Sequence, residues 1–541
     1  MRRLVLLLAT AATAALPQMA NAQGGANIID RDRADRAPPL AIQRPAQPAP
    51  RLNNGAPAVA VNFKPFELKS VRVEGSTLAA STLAAAYTPY IGKTMDARML
   101  AALARDISVA YSQSDVALYT VGVPAQDFGG GQLRLSVIEG HVAGGAVHVA
   151  GNKKVTPLIV AQIEQLTPEK PLRRISLERR LSLIRDIPGL SINADMQRTG
   201  QPGAVRMAVD ATQKAYDWAI NVTNRGTAYL GRTQVTLDGT LYSLLRAGDA
   251  TRFTFVVPTV VKSFQYYAVN HRTPLGNDGA MVSVGTGYLR TRPKGGLKGD
   301  ANMANVSVSY PLLRGYDRSL YVSGGIDGVN SHNALFGRTL SDERTRALRL
   351  SASYGQTGPK SALSYNAAVS HGVDGLGART SNKQLSDPSF LKLSGQAAYD
   401  RAIGKQLVAR LRAAAQYSND DLPGSEMFSL GGEQFGRAFQ SAYATGDSGY
   451  AGAVELAWRP KFLPKKVEGS ELYGFADAGH AEINPRFGFK ADYDVASAGV
   501  GTRVNLNNKA VVQVEAAKAL RDTTPTRRDA WQITAGFKST F

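Results

Sequence analysis

From Tyr216 to the last residue, polar and apolar side chains alternate with a period of two. Across 234–241, Val235, Leu237 and Leu241 fall on one face, and Gln234, Thr236, Asp238 and Thr240 on the other. Phe253, Phe255 and Val257 alternate with Arg252, Thr254 and Val256, and Val512, Val514 and Ala516 with Gln513 and Glu515. Across 407–417 the apolar face is Leu407, Ala409, Leu411, Ala413, Ala415 and Tyr417, opposite Arg410, Arg412 and Gln416. Alternation of this kind sets one face against an apolar medium and the other against a polar one. A soluble sandwich alternates too, so the number and regularity of the segments decide. Sixteen are centred near residues 221, 236, 254, 267, 284, 305, 322, 348, 366, 394, 411, 455, 474, 499, 514 and 535. Their spacing of roughly 20 residues suits a transmembrane strand of about 9–11 residues plus its turn or loop, and bacterial single-chain barrels have even strand numbers. Tyr354, Tyr417, Tyr450 and Trp458 lie near segment ends, where an interfacial girdle would place them. Arg410, Arg412, Glu455, Arg459 and Glu515 make the opposite face charged, as a wet lumen requires. Backbone in lipid needs internal hydrogen-bond partners, which only helices and closed sheets supply. The pattern therefore predicts a 16-stranded antiparallel transmembrane β-barrel over 214–541.

Upstream the texture differs. Leu68, Val71 and Val73 mark a strand stopping at Gly75. A helical pattern follows, then a second helix opened by Asp96 as N-cap, with Met99, Leu100, Leu103, Ile107 and Tyr111 on one face. Strand-like runs over 116–123 and 132–139 flank Gly129-Gly130-Gly131. Those glycines join two strands rather than opening a helix, so they predict a hairpin turn and not a phosphate cradle. The order then repeats: Val71-Arg72-Val73-Glu74-Gly75 is echoed by Val147-His148-Val149-Ala150-Gly151. Ser176 is expected to cap a helix carrying Leu177, Leu181 and Ile184, ended by Pro188-Gly189, and strands over 190–196 and 204–209 complete the unit. Two consecutive β-α-α-β-β units are thus expected, over 66–141 and 142–213.

The N-terminus reads as an address. Met1-Arg2-Arg3 precedes an apolar run from Leu4 to Leu16, and Ala20-Asn21-Ala22 offers the small-x-small site of signal peptidase. Residues 1–22 are therefore expected to be a signal peptide cleaved after Ala22, and 23–65, with seven prolines, a periplasmic linker. Within it, Asn27-Ile28-Ile29-Asp30 has an apolar face too small to define a plug helix. The 541-residue chain has no cysteine, which rules out disulfides and thiolate metal sites. No two of its six histidines share a metal-ligand spacing such as H-x-x-x-H, so neither a metal nor another cofactor is expected. Its net charge of +20 would suit several anionic partners, but export removes nucleic acid from them.

The order of the small units resembles that of POTRA domains, the periplasmic modules of certain outer-membrane barrels. Leu177-Glu178-Arg179-Arg180-Leu181 with Ile187-Pro188-Gly189-Leu190 is similar to the second such domain of two-partner-secretion transporters, the haemolysin/haemagglutinin secretion-activation family. The stretch from Leu422 to Phe439 resembles that family's sixth extracellular loop, here 418–449, which folds back into the barrel. In it Leu430-Gly431-Gly432 leads to a tip where Arg437 and Phe439 match the family's Arg and aromatic. Gly436 stands for the usual Val and Ala438 for the usual Gly, a departure that predicts a different turn. Gly446-Asp447-Ser448-Gly449-Tyr450 also follows the family pattern. Phe475-Ala476-Asp477-Ala478-Gly479 resembles its F-x-D-x-G strand, whose Asp holds the loop Arg; Phe475, Asp477 and Gly479 share parity and should face the lumen together. The resemblance implies an ion pair between Arg437 and Asp477. Read alone, Arg437 would be a solvated loop charge and Asp477 an ordinary lumen carboxylate. Trp531, Ile533, Phe537 and the terminal Phe541 share one face and resemble the signal read by the barrel-assembly machinery.

The implied function is ATP-independent, type Vb secretion of a haemolysin-, haemagglutinin- or adhesin-like exoprotein. The exoprotein would be captured by the POTRA domains and pass through a monomeric barrel in outer-membrane lipids. An insertase of the same superfamily is the alternative, and a diffusion porin a remoter one. No enzymatic constellation stands out, since Gly-x-Ser-x-Gly is absent and carboxylate pairs are scattered over strand faces.

Overall fold

The structure is a computed structural model describing residues 64–293, 295–487, 489–507, 509–523 and 529–541. The signal peptide, its cleavage site at Ala20 and Ala22, and the linker up to residue 63 lie outside the described residues.

The first unit runs β1 (Phe66–Glu67), β2 (Ser70–Glu74), α1 (Ala80–Tyr87), β3 (Thr94–Met95), α2 (Ala97–Ser112), β4 (Tyr119–Gly122) and β5 (Gln132–Glu139). The second runs β6 (His141–Gly151), α3 (Thr156–Glu164), α4 (Arg174–Arg185), β7 (Leu190–Arg198) and β8 (Ala204–Gln213). Their sheets are ordered β2-β5-β4 and β6-β8-β7, each with one parallel and one antiparallel pair. Gly75 and Gly151 end equivalent strands with positive φ, and a Cβ at either would strike the carbonyl oxygen of Val137 or Gln213. Only glycine tolerates both constraints, which explains why the two sequence echoes end alike. Asp96 caps α2 by accepting from the Met99 N–H at 2.7 Å. Leu100, Leu103, Ile107 and Tyr111 enter the first core, and Leu177, Leu181 and Ile184 the second.

Two local expectations need correction. Ser176 is not the cap of α4, which starts at Arg174. Asp115 of the first unit supplies the missing acceptor instead, taking the Ile175 N–H at 3.1 Å, while the Ser176 hydroxyl donates to Glu169. The strand expected over 116–123 is confined to β4, because Val116 bridges to Arg173 and the Ala117 N–H to the Leu172 carbonyl. Both changes arise where the units are joined by backbone hydrogen bonds.

The remaining chain closes into an antiparallel barrel. Its strands are β9 (Tyr216–Thr223), β10 (Gln234–Tyr242), β11 (Ala250–Pro258), β12 (Phe264–Leu275), β13 (Ala280–Thr291), β14 (Leu297–Arg314), β15 (Arg318–Leu335) and β16 (Arg338–Thr357). After them come β17 (Ser361–Gly372), β18 (Leu391–Ile403), β19 (Leu407–Tyr417), β22 (Ser448–Trp458), β23 (Glu471–Arg486), β24 (Phe489–Leu506), β25 (Ala510–Asp522) and β26 (Trp531–Thr540). Every predicted segment centre falls inside one of these sixteen strands. Short strands β20 (Phe428–Leu430) and β21 (Ala444–Gly446) pair with each other in the link between β19 and β22. Outward apolar side chains such as Leu411, Tyr417, Tyr450 and Leu456 are exposed, as a lipid-facing surface requires. No helix of the described residues is long and apolar enough to cross a membrane.

The barrel closes by pairing β26 with β9. Trp531, Ile533, Phe537 and Phe541 all point outward there, and the Phe541 N–H donates to the Trp218 carbonyl at 2.8 Å. The second small unit docks on one rim. Arg314 on β14 makes two 2.7 Å hydrogen bonds to Asp186, Arg179 donates to the Pro311 carbonyl, and Arg180 reaches Asp278 in the β12–β13 turn. The β19–β22 link therefore opens at the opposite rim.

Candidate functional site

That link does not stand out into solvent. Leu422, Glu426, Leu430, Arg437, Ala438, Phe439 and Asp447 are all buried, so the loop lies folded inside the barrel. Its tip is held by β23. The Gly436 N–H donates to Asp477 Oδ1 at 2.7 Å, the Arg437 N–H to Asp477 Oδ2 at 3.4 Å, and the Ser497 hydroxyl adds a third bond at 2.7 Å. The left-handed residue of the turn is Gly436, at φ +72°, whereas Ala438 is fully buried and is not among the positive-φ residues. Both departures from the family tip are thereby accounted for: the conformational freedom sits two residues earlier.

The expected ion pair between Arg437 and Asp477 is not formed, and this is the main correction to the sequence reading. Asp477 grips the backbone of the tip, and the Arg437 side chain runs on past it. The guanidinium lies 4.3 Å from the Phe475 ring centroid and donates to Glu455 at 3.0 Å and Glu515 at 3.2 Å. Asp477 is occupied by two amides and a hydroxyl, whereas Glu455 and Glu515 offer the guanidinium two carboxylates. They belong to a larger network. Glu515 also accepts from Arg225 and Tyr473, and Arg410 and Arg503 are shared between Glu455 and Glu471. Arg225, from the β9–β10 link, donates as well to the Gly432 carbonyl of the tip.

Apolar packing completes the tip. Leu430, Phe435, Ala438 and Phe439 form one buried cluster with Tyr473 and Phe475. A Cβ at Gly479 would come within 2.5 Å of the Leu430 side chain, so that glycine makes the seat into which the loop packs. Gly431 and Gly432, both at positive φ, turn the chain between Leu430 and the tip.

Two further anchors were missed by sequence reasoning. Glu426 on the descending limb accepts from Arg349 of β16 at 2.8 Å and from Lys392 of β18 at 2.7 Å, and Arg349 also pairs with Asp327 of β15. On the returning limb Asp447 accepts from Arg486 at 2.7 Å and from the Leu422 and Asn484 N–H groups at 2.8 Å. A signal existed for both: each is a carboxylate in a loop otherwise rich in Gly and apolar residues, and Arg349 and Lys392 have lumen parity. Among the described residues one group has metal-ligand geometry, His480, Glu482 and Asp492. Lys490 already sits 2.5 Å from Glu482 there.

POTRA-like units docked beneath a closed sixteen-strand barrel, with an outer loop folded into the lumen, define the class of POTRA-bearing outer-membrane barrels. Within that class, the profile of the Haemolysin secretion/activation protein ShlB/FhaC/HecB family matches residues 205–504, more than half of the chain. A ShlB-type POTRA domain matches residues 66–140. The chain belongs to the haemolysin secretion/activation family. It is 24% identical over 449 residues to the outer membrane transporter CdiB of Dickeya dadantii, covering 75% of this chain and 76% of that one. It is 23% identical over 471 residues to CdiB of Escherichia coli, covering 81% and 75%. Among solved structures, CdiB from Escherichia coli superposes with a TM-score of 0.70 at 18% identity, covering 97% of this chain and 99% of that one. BamA from Haemophilus ducreyi lacking POTRA domains 1–3 gives 0.51 at 13% identity, covering 88% and 100%.

Proposed function

We propose that this protein is an outer-membrane translocator that secretes one partner exoprotein through its barrel, with two POTRA-type units capturing the chain in the periplasm. The observation that carries this reading is the loop bound across the lumen of a barrel whose opposite rim carries the small units. A diffusion porin needs neither part. The edges β2, β4, β6 and β7 of the two small sheets suit capture of an extended chain by strand addition, in which backbone bonds give affinity and side-chain pockets selectivity. Folding outside the cell then opposes return, and no nucleotide is consumed. The passenger is a large exported protein of haemolysin, haemagglutinin or adhesin type, and the barrel acts as a monomer.

Deleting the gene and comparing proteins in the medium and on the cell surface tests this. One large protein should disappear, with other outer-membrane barrels at normal abundance. A general fall in barrel content would instead support an insertase.

A further inference from the structure

The Glu426 anchor differs from the tip in what holds it. The tip packs in a broad apolar cluster, whereas beside Glu426 only Leu422, Phe390 and Ala347 form a buried apolar group. Releasing the tip would expose a large apolar surface; releasing Glu426 chiefly exchanges a buried ion cluster for hydration, an exchange often near break-even. Glu426 is held by β16 and β18 and the tip by β23 and β25, so the loop is fixed to two separate sectors of the barrel wall.

The wall beside Glu426 has a second peculiarity. Asn305 on β14, opposite Asp327 in register, is 3% exposed, and neither atom of its side-chain amide has a hydrogen-bond partner. Ser307, Ser323, Gly325 and Ser351 line a small recess with Asp327 and Arg349, next along β14 from Asn305. An amide offers one donor side and one acceptor side, which matches the C=O and N–H of an extended peptide. Arg349 and Lys392 balance Asp327 and Glu426 in charge, so removing Glu426 leaves these groups one positive charge in excess.

We propose that Arg349 and Lys392, with the Asn305 amide and the neighbouring recess beside them, form a binding site for an acidic residue of the extended passenger, and that Glu426 fills this site in the resting state. The loop then acts as its own ligand. It swings about its tip when a passenger carboxylate takes the place of Glu426, and the passenger backbone meets Asn305. This rests on the translocator reading above.

The test uses the full-length protein in planar bilayers. Two unstructured peptides of equal length serve as probes, one alternating Ser with Glu and the other Ser with Lys. Glu426→Gln should conduct more than the native protein. The Glu peptide should block its current at about one-tenth the concentration that the Lys peptide needs, equivalent to ~1.4 kcal/mol. Adding Arg349→Gln and Lys392→Gln should remove that preference. Native conductance in Glu426→Gln, or equal block by both peptides, overturns the proposal. A second variant, Leu422→Cys with Ala347→Cys, spares the proposed site, ties the loop to the wall beside Glu426 and exploits the absence of native cysteine. Bridged by a short, reducible thiosulfonate cross-linker, it should stop secretion of the protein that gene deletion removes from the medium, and reductant should restore it. Undiminished secretion by the bridged form overturns the inference. No passenger dependent on the native protein would instead sink the translocator reading.

Discussion

Replacing Arg437 and Asp477 separately and together distinguishes the geometry found here from a direct ion pair. Asp477→Ala leaves the Gly436 and Arg437 N–H groups buried without an acceptor, at about 1–3 kcal/mol each. Arg437→Ala strips one cation from Glu455 and Glu515, but Glu455 keeps Arg410 and Arg503, and Glu515 keeps Arg225 and Tyr473. The ~3–5 kcal/mol cost of leaving a buried charge alone is therefore not reached. Because those cations can take over the glutamate oxygens, what is lost outright is the contact with the Phe475 ring, about 0.5–2 kcal/mol. Asp477→Ala should thus undock the tip more than Arg437→Ala. The double mutant carries the sharper test. Asp477 binds the backbone at position 437, which alanine retains, so these two changes should couple more weakly than Arg437 does with Glu515. Arg437 with Glu515 should instead show coupling of about 1 kcal/mol or more. Hydrogen exchange of the amides between residues 428 and 446 in the solubilised protein reads the opening free energy directly. Larger coupling of Arg437 with Asp477 than with Glu515 would refute the arrangement.

Three further outcomes follow from the same contacts. Deleting residues 66–213 should leave a heat-modifiable barrel in the outer membrane that no longer secretes; secretion at the native rate would remove capture from the small units. Truncating Phe541, which lies outward and pairs in backbone with Trp218, should lower the amount of heat-modifiable barrel, as unheated gel electrophoresis would show. Asp278 is partly buried, which raises its pKa, but hydrogen bonds from Tyr310 and Arg180 and the Arg179 charge outweigh this and lower it overall. A lowered carboxylate contributes above its unfolded pKa and loses that contribution as pH falls through its folded one. Docking of the second unit on the barrel should therefore hold at pH 5 and loosen only below the ordinary carboxylate value of 3.8, with Asp278→Asn already loosened at pH 5 and above. Limited proteolysis across the junction measures both; loosening already at pH 5 would count against the assignment.

Much of the barrel was legible because lipid and lumen impose a two-residue period that each strand must obey. Asp477 could be placed inside by parity alone, and the structure puts it there. Parity does not say which inward groups meet across the lumen. Arg437 and Asp477 lie in two motifs that the family pairs, yet Glu455 and Glu515 take the guanidinium while Asp477 binds the backbone of the tip. Glu426 was missed for a related reason: its partners, Arg349 and Lys392, lie 77 and 34 residues away on separate strands. The misplaced cap at Ser176 has the same origin, since Asp115 comes from another unit. Local rules fail where a contact crosses between elements that the sequence does not order in space.

The choice of ions rather than apolar side chains at the Glu426 end is itself informative. A lumen through which an unfolded chain passes must be wet when open, so a loop held on both walls by apolar packing would expose that packing to water at each opening. A buried ion cluster behaves differently. Its attraction in the closed state is largely offset by desolvation, and water entering on opening restores the hydration of each group. The cluster consequently defines where the loop rests without making its departure expensive, provided that the groups left on the wall find another partner. The apolar cluster at the tip has the opposite property, and there the chain also spends Asp477, Ser497 and two backbone amides. The two ends of the loop thus differ in the chemistry of their contacts, and that difference is what would let the proposed exchange at Glu426 leave the tip in place.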